Sequence, residues 1–370
     1  MKKIITTSLL LIAITFASFS QLTVSVDGGN KKAMISERIG ITDVTIHYDR
    51  PAVKGREGKI WGQLIHKGFT DLGFGTSKAA PWRAGANENT IIEFSTDVKV
   101  QGQTLAAGKY GFFIAYDPGE CTLIFSKNNT SWGSFFYNEA EDVLRVKTKP
   151  VALDKSVERL RYEFLDETEN GATVALEWEK LSIPFKVEVD LDKLQLESFR
   201  RELRGEKSFL LGWQPYQQAA KYTADRNIDL EEGLKWADQA INDRFVGETN
   251  FTTLSTKADI LGKLGRMAES DSLMKKAMPL GNMQQVHQYG RQLITRKKFK
   301  EALDIFKLNY QKNPGVFTTT MGMARGYAGV GDFPNASKYA NMALALAPDP
   351  GTKTFVQDIV DKLKEKKEIN

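Results

Sequence analysis

Arg159-Leu160-Arg161-Tyr162-Glu163-Phe164, followed by Asn170-Gly171 and then Val174-Ala175-Leu176-Glu177-Trp178, sets the reading of the first half of the chain. Leu160, Tyr162 and Phe164 alternate with Arg159, Arg161 and Glu163, the two-residue period of a strand with one face on a core. Asn170 and Gly171 both tolerate positive φ, so the pair predicts a hairpin, with Val174, Leu176 and Trp178 on the returning strand. Working outward, the same period runs from Ile39 to about Val189. Val44, Ile46 and Tyr48 alternate with Thr45, His47 and Asp49. Ile92 and Phe94, then Val98 and Val100, lead to a turn at Gln101-Gly102. Tyr110, Phe112 and Ile114 share one face, Cys121, Leu123 and Phe125 follow the turn Asp117-Pro118-Gly119, and Phe185, Val187 and Val189 close the half. Many short alternating strands separated by turn residues predict an antiparallel β-sandwich or jelly-roll-like barrel, which we place at residues 33–190.

Past Leu191 the period changes. Leu194, Glu197, Ser198 and Arg201 begin helical spacing, and the charged run to Lys207 reads as a polar connection, so residues 191–207 are expected to be a linker. Gly290, Phe299, Ala302 and Pro314 recur at Ala324, Phe333, Ala336 and Pro348, thirty-four residues later. An earlier unit aligns at thirty-two: Ala258 with Gly290, Leu261 with Leu293, Met267 with Phe299, Ser270 with Ala302. A first unit has helices from Tyr216 to Ala224 and from Leu230 to Ile241. Small residues at these positions let paired antiparallel helices approach closely, and proline ends the second helix of a pair. The pattern resembles tetratricopeptide repeats over residues 208–370, with three to four units and a capping helix from Thr354 to Lys366. That resemblance implies a protein or peptide partner on a concave face.

The N-terminus is of another kind. Lys2 and Lys3 precede a nearly all-apolar run, Ile4 to Phe16, and small residues Ala17, Ser18 and Ser20 stand before Gln21. This predicts a secretory signal peptide over residues 1–20, too short and wrongly flanked for a membrane span, and hence an exported chain, periplasmic or secreted. No later run is long and apolar enough to cross a bilayer. Without Lys2 and Lys3 the formal net charge falls from +5 to +3, spread along the chain, which argues against a nucleic-acid surface. Cys121 is the only cysteine, so no intramolecular disulfide is possible, and its alternating neighbours predict a buried, inert thiol.

The densest polar stretch is Pro81-Trp82-Arg83-Ala84-Gly85-Ala86-Asn87-Glu88-Asn89-Thr90, with Tyr48-Asp49-Arg50-Pro51 and Lys54-Gly55-Arg56 before it. Tyr48-x-Arg50-Pro51-x-x-Lys54-Gly55-Arg56, Trp82-Arg83-x-Gly85-Ala86-Asn87-Glu88, Ala107-Gly108-x-Tyr110 and Trp132-Gly133, in that order, resemble the bacterial family called domain of unknown function 2911, common in exported proteins of Bacteroidetes-type bacteria. The resemblance covers roughly Ala33 to Val189. Phe69 to Ala80 is longer than the family's usual link, and within the less regular region Lys59 to Ala80 the Gly-rich loop with Gly68, Gly73, Gly75, Ser77 and Lys78 reads either as a lid or as a tolerated surface insertion. The family carries no established activity, so the resemblance implies fold and setting rather than mechanism.

Chemistry is sparse. His47, His66 and His287 are far apart, with no metal-ligand spacing, and no phosphate-binding glycine loop or serine elbow is present, so no cofactor is expected. Arg50, Lys54, Arg56 and Arg83 are candidates for a cationic pocket that would take a small carboxylate, phosphate or sulfate ligand. Tyr48 and Trp82, with Trp132, would stack on a saccharide or apolar ring, while Asn87 and Glu88 would hold hydroxyl groups. Glu88 is the candidate general acid or base, without a paired carboxylate or nucleophile beside it in the sequence. The enzymatic alternative, possibly hydrolytic, centres on Arg50, Arg83 and Glu88. A structural alternative pairs Arg83 or Arg50 with Glu88 as a lock, with Trp82 plugging one end of the sandwich, and for the whole chain the third alternative is a purely structural envelope protein. A fully extended stretch would give Trp82 and Glu88 one parity and Arg83 and Asn87 the other, but Ala84-Gly85-Ala86 predicts a bend. The expectation is an exported, non-enzymatic binding protein.

Overall fold

The alternating stretches pair into two antiparallel sheets. The computed structural model describes residues 29–370; the predicted signal peptide lies outside the described residues. The chain divides into two compact units, the first ending at Leu194 and the second spanning Gln195–Asn370.

In the first unit the strands are β1 (Lys31–Ile39), β2 (Thr42–Arg50), β3 (Thr90–Phe94), β4 (Val98–Val100), β5 (Gln103–Leu105), β6 (Gly108–Ala115), β7 (Cys121–Ser126), β8 (Asp142–Thr148), β9 (Val151–Leu165) and β10 (Gly171–Glu188). One sheet runs β1-β2-β3-β6-β7-β8 and the other β5-β4-β10-β9, making an antiparallel β-sandwich. Register explains the core: Ile46 faces Ile92, and Phe112 faces Phe125, so the apolar parity of each strand lands on one face. Leu160, Tyr162, Val174, Leu176 and Trp178 supply the opposing face, and Phe185 touches both Phe112 and Phe125 across the gap. Each such large side chain, wholly buried, contributes about 1.5–3 kcal/mol relative to exposure. Cys121 is fully buried in this core, and burial pushes its thiol pKa up.

Three strand details differ from expectation. β1 pairs along its length with β2 although its residues before Ile39 carry little alternation. The two strands expected between Val174 and Val189 are one strand, β10, with register shifts around Glu179, whose φ is +52°. The hairpin after β9 turns through Asp166, at φ +50°, and neither Asn170 nor Gly171 takes positive φ. Gly171 sits in a tight spot instead, where a Cβ would stand 3.3 Å from the Val187 carbonyl oxygen.

The second unit is a helical repeat array. Residues 191–207, expected as a linker, hold α1 (Leu191–Glu202) and the start of α2 (Glu206–Leu210). The pairs that follow are α3 (Gln214–Arg226) with α4 (Leu230–Asn242), α5 (Phe251–Lys263) with α6 (Met267–Ala277), α7 (Met283–Thr295) with α8 (Phe299–Lys312), and α9 (Phe317–Gly329) with α10 (Phe333–Ala345). The final helix, α11 (Pro350–Lys364), packs on α10. Asn250 and Asn282 cap α5 and α7 through reciprocal bonds with Thr253 and Gln285. The recurring small residues sit where helices meet: Ala258, Ala302, Ala324 and Ala336 are buried, and a Cβ on Gly290 would stand 2.5 Å from the Phe306 ring.

Candidate functional site

The motif from Trp82 to Thr90 folds as a bent loop rather than an extended strand. Trp82 exchanges backbone hydrogen bonds with Ile114 and so adds one pair to β6. Ala84 and Asn87 then adopt left-handed conformations, at φ +52° and +54°. These two bends cancel the parity rule: Trp82 is 6% exposed in the core, whereas Glu88 emerges at the surface. Gly85 permits the bend, since a Cβ there would meet the Thr90 hydroxyl at 2.8 Å and the Asp49 carbonyl at 3.2 Å. Past the bend, Asn89 N–H donates to the Ser131 carbonyl and Gly133 N–H to the Asn87 carbonyl, placing Glu88 opposite Trp132.

Four separate segments meet here. Asp49, near the end of β2, is 3% exposed and accepts a hydrogen bond from the Asn87 amide at 3.2 Å. Lys32, from β1, reaches the Glu88 carboxylate at 2.9 Å and Asp49 at 3.5 Å. The carboxyl groups of Asp49 and Glu88 share the Lys32 ammonium, and their environments shift them in opposite directions. Burial raises the Asp49 pKa, while the hydrogen bond from Lys32 holds Glu88 below its usual range.

Two buried polar atoms of the motif have no partner among the described residues, Arg83 Nε and Asn89 Oδ1. The Arg83 guanidinium makes no hydrogen bond or ion pair among the described residues. Burial lowers its pKa, with the Asp49 charge opposing that shift. The guanidinium carbon lies 5.6 Å from the centre of the Trp132 ring, and Trp132 is 60% exposed. The Phe135 ring lies nearly parallel to Trp132 at 6.0 Å.

The other expected site residues are placed differently. Tyr48 and Trp82 are core: the Tyr48 ring meets Tyr162 edge-on, its hydroxyl accepts from the Tyr162 N–H, and the Trp82 indole donates to the Gly85 carbonyl and packs against Trp61 and Trp178. Neither offers a ring face to a ligand. The four-cation pocket does not assemble. Arg50 donates to the Leu160 carbonyl, and Arg56 donates to the Ala52 and Val53 carbonyls, so both guanidiniums fasten residues 50–56 beside β9. Lys54 takes a left-handed turn, and its N–H donates to Glu158. Asn87 has its amide engaged between Asp49 and Asn30, which makes it a positioning group. Arg83 and Arg50 do not pair with Glu88; Lys32 does. Trp132, expected to stack on a ligand ring, is the exposed ring of the site, whereas Lys32 and Asp49 carry no distinguishing signal in the sequence: β1 gives almost no periodicity and Asp49 looks like any polar-parity residue. Among the described residues no group of three His, Cys, Asp or Glu side chains is set to hold a metal ion.

A second site lies in the helical unit. α3, α5 and α7 line a cavity of about 530 Å³ with Lys221, Ser255, Asp259, Gln284, Gln288 and Gln292 among its walls. The three glutamines, four residues apart on α7, form one stripe. Their side-chain amides make no hydrogen bond among the described residues, and each is exposed.

Within the first unit, residues 30–187 match the family model described as Protein of unknown function (DUF2911). No curated protein matches the chain. Among solved structures, the chain is similar to YrrB, described as a TPR protein with an unusual peptide-binding site, at 18% identity over 47% of this chain and 87% of that one, with a TM-score of 0.30. It is also similar to MamA from Desulfovibrio magneticus RS-1, at 17% identity over 42% of this chain and 90% of that one, with a TM-score of 0.29.

Proposed function

We propose that this chain is an exported, non-enzymatic binding protein whose helical repeats hold an extended peptide segment of a protein partner. The observation that carries this reading is the unengaged stripe of Gln284, Gln288 and Gln292 along the cavity of about 530 Å³. A carboxamide both donates and accepts, as a peptide backbone requires, and a helix offers one every turn on the same face. Charges of both signs stand at the walls as internal pairs, Asp259 with Arg296 at 3.3 Å and Lys221 with Asp225 at 2.8 Å, so the glutamines are the unengaged polar groups there among the described residues. The β-sandwich supplies a separate small-ligand site at Arg83, with Arg50 and Arg56 serving the scaffold.

The test is binding of the full chain to an array of extended peptides, compared with the triple variant Gln284→Ala, Gln288→Ala, Gln292→Ala. Each hydrogen bond is worth about 1 kcal/mol, so the variant should bind roughly a hundredfold more weakly with its melting temperature unchanged. Peptide binding that survives the triple change would remove the groove from the function.

A further inference from the structure

We infer that the Arg83–Trp132 corner of the β-sandwich binds an acidic saccharide, a sugar chain whose rings carry single carboxylates of the uronic-acid type. This rests on the reading of the β-sandwich as a small-ligand module and names the class of ligand.

Arg83 asks for an acceptor. Its guanidinium has five N–H donors in a planar fork, none engaged among the described residues, and its stem is buried so the fork is held in place. A carboxylate meets such a fork with two parallel hydrogen bonds. Charge balance favours one negative charge over the two of a phosphate ester. Lys32 is already shared by Glu88 at 2.9 Å and Asp49 at 3.5 Å. Among the described residues Arg83 is therefore the one cation of the cluster left to meet an anion, and a dianion would face Glu88 without compensation.

The surroundings favour a sugar over a free acid. Trp132 stands directly across from Glu88 and leaves much of its ring in solvent. An exposed indole beside an exposed carboxylate suits a ring with an apolar C–H face and hydroxyl edges. The aromatic surface also continues: Phe135 links Trp132 to Phe74, and Phe74 touches Phe136 at 5.9 Å, with Phe74 and Phe136 both exposed. A contiguous exposed aromatic patch of this kind marks a binding surface, and its length calls for several linked rings. Gly133, at φ +75°, keeps the corner open, because a Cβ there would stand 2.8 Å from the Phe135 ring and 3.2 Å from the Arg83 fork.

The experiment measures binding of the full chain to oligogalacturonate, to its methyl ester, and to inorganic phosphate, by thermal shift and titration calorimetry. The acid oligomer should raise the melting temperature and the ester should not. Arg83→Lys, which keeps the charge but loses the fork, and Trp132→Ala, at an exposed ring, should each weaken binding at least roughly tenfold. Unliganded melting of Trp132→Ala should match the parent, which separates lost binding from lost fold. An equal response to the ester, or a response to phosphate that needs Arg83, would overturn the acidic saccharide and leave a small-ligand site standing. Silence from all three probes would overturn the site itself.

Discussion

Asp49 and Glu88 share Lys32 yet respond to pH in opposite senses. Burial raises Asp49 above its ordinary 3.8, so the folded chain holds that proton more tightly than the unfolded chain. The stability from this proton is full below 3.8 and is lost as pH rises through the raised value. Glu88 is the reverse: its contribution is present above 4.5 and is lost as pH falls through its lowered value. The exposed Lys32–Glu88 pair is worth under about 1 kcal/mol, so the buried Asp49 should dominate. Asp49→Asn keeps an acceptor for Asn87 and can donate to Glu88. At neutral pH it should melt at or above the parent temperature, and the gap should close as pH falls toward 3.8. Melting curves across that range are the check; a variant that melts lower at neutral pH would mean the Lys32 attraction outweighs burial.

At the scale of elements, helix α7 carries the stripe of glutamines on one side and His287 on another. His287 packs beside Phe306, and its Nδ1 is buried without a partner. Burial, then the nearby charges of Arg291 and Arg325, push its pKa from 6.5 to about 4. The unfolded chain therefore takes up this proton first as pH falls, and stability is lost between 6.5 and about 4. His287→Gln removes the titration, so its melting temperature should fall less steeply over that interval than the parent's. Equal slopes would show that carboxylates alone set the acid response. The helices of the array were readable because a repeat of thirty-four residues brings the same small residue to the same crossing, as Ala302 and Ala336 show. Strand β1 was not, because its solvent face leaves Met34 exposed and its pairing with β2 depends on backbone bonds rather than on side-chain pattern.

At the scale of the whole chain, a β-sandwich core and a string of helical cores account for the two units. The proposed export belongs to this scale too. The basic start and apolar run before Gln21 should be removed, so protein recovered from its native envelope or medium should begin at or near Gln21 by N-terminal sequencing. Recovery of chains that begin at Met1 or Lys2 would overturn export by this route.

Periodicity determined the division into a β half and a helical half: a period of two to about Val189, then a helical period with recurring small residues, because burying one face of an element imposes that spacing on the sequence. Tertiary structure decided the site. The left-handed bends at Ala84 and Asn87 sent Trp82 inward and Glu88 outward, against the parity of a straight strand. The partners of Glu88 then came from β1, β2 and the segment around Trp132, far apart in the chain. Arg50, Arg56 and Arg83 look alike in sequence, and only folding shows that two of them are taken up by backbone carbonyls. Arg83 keeps its donors unpaired, while Asp49 accepts from Asn87 and Glu88 from Lys32.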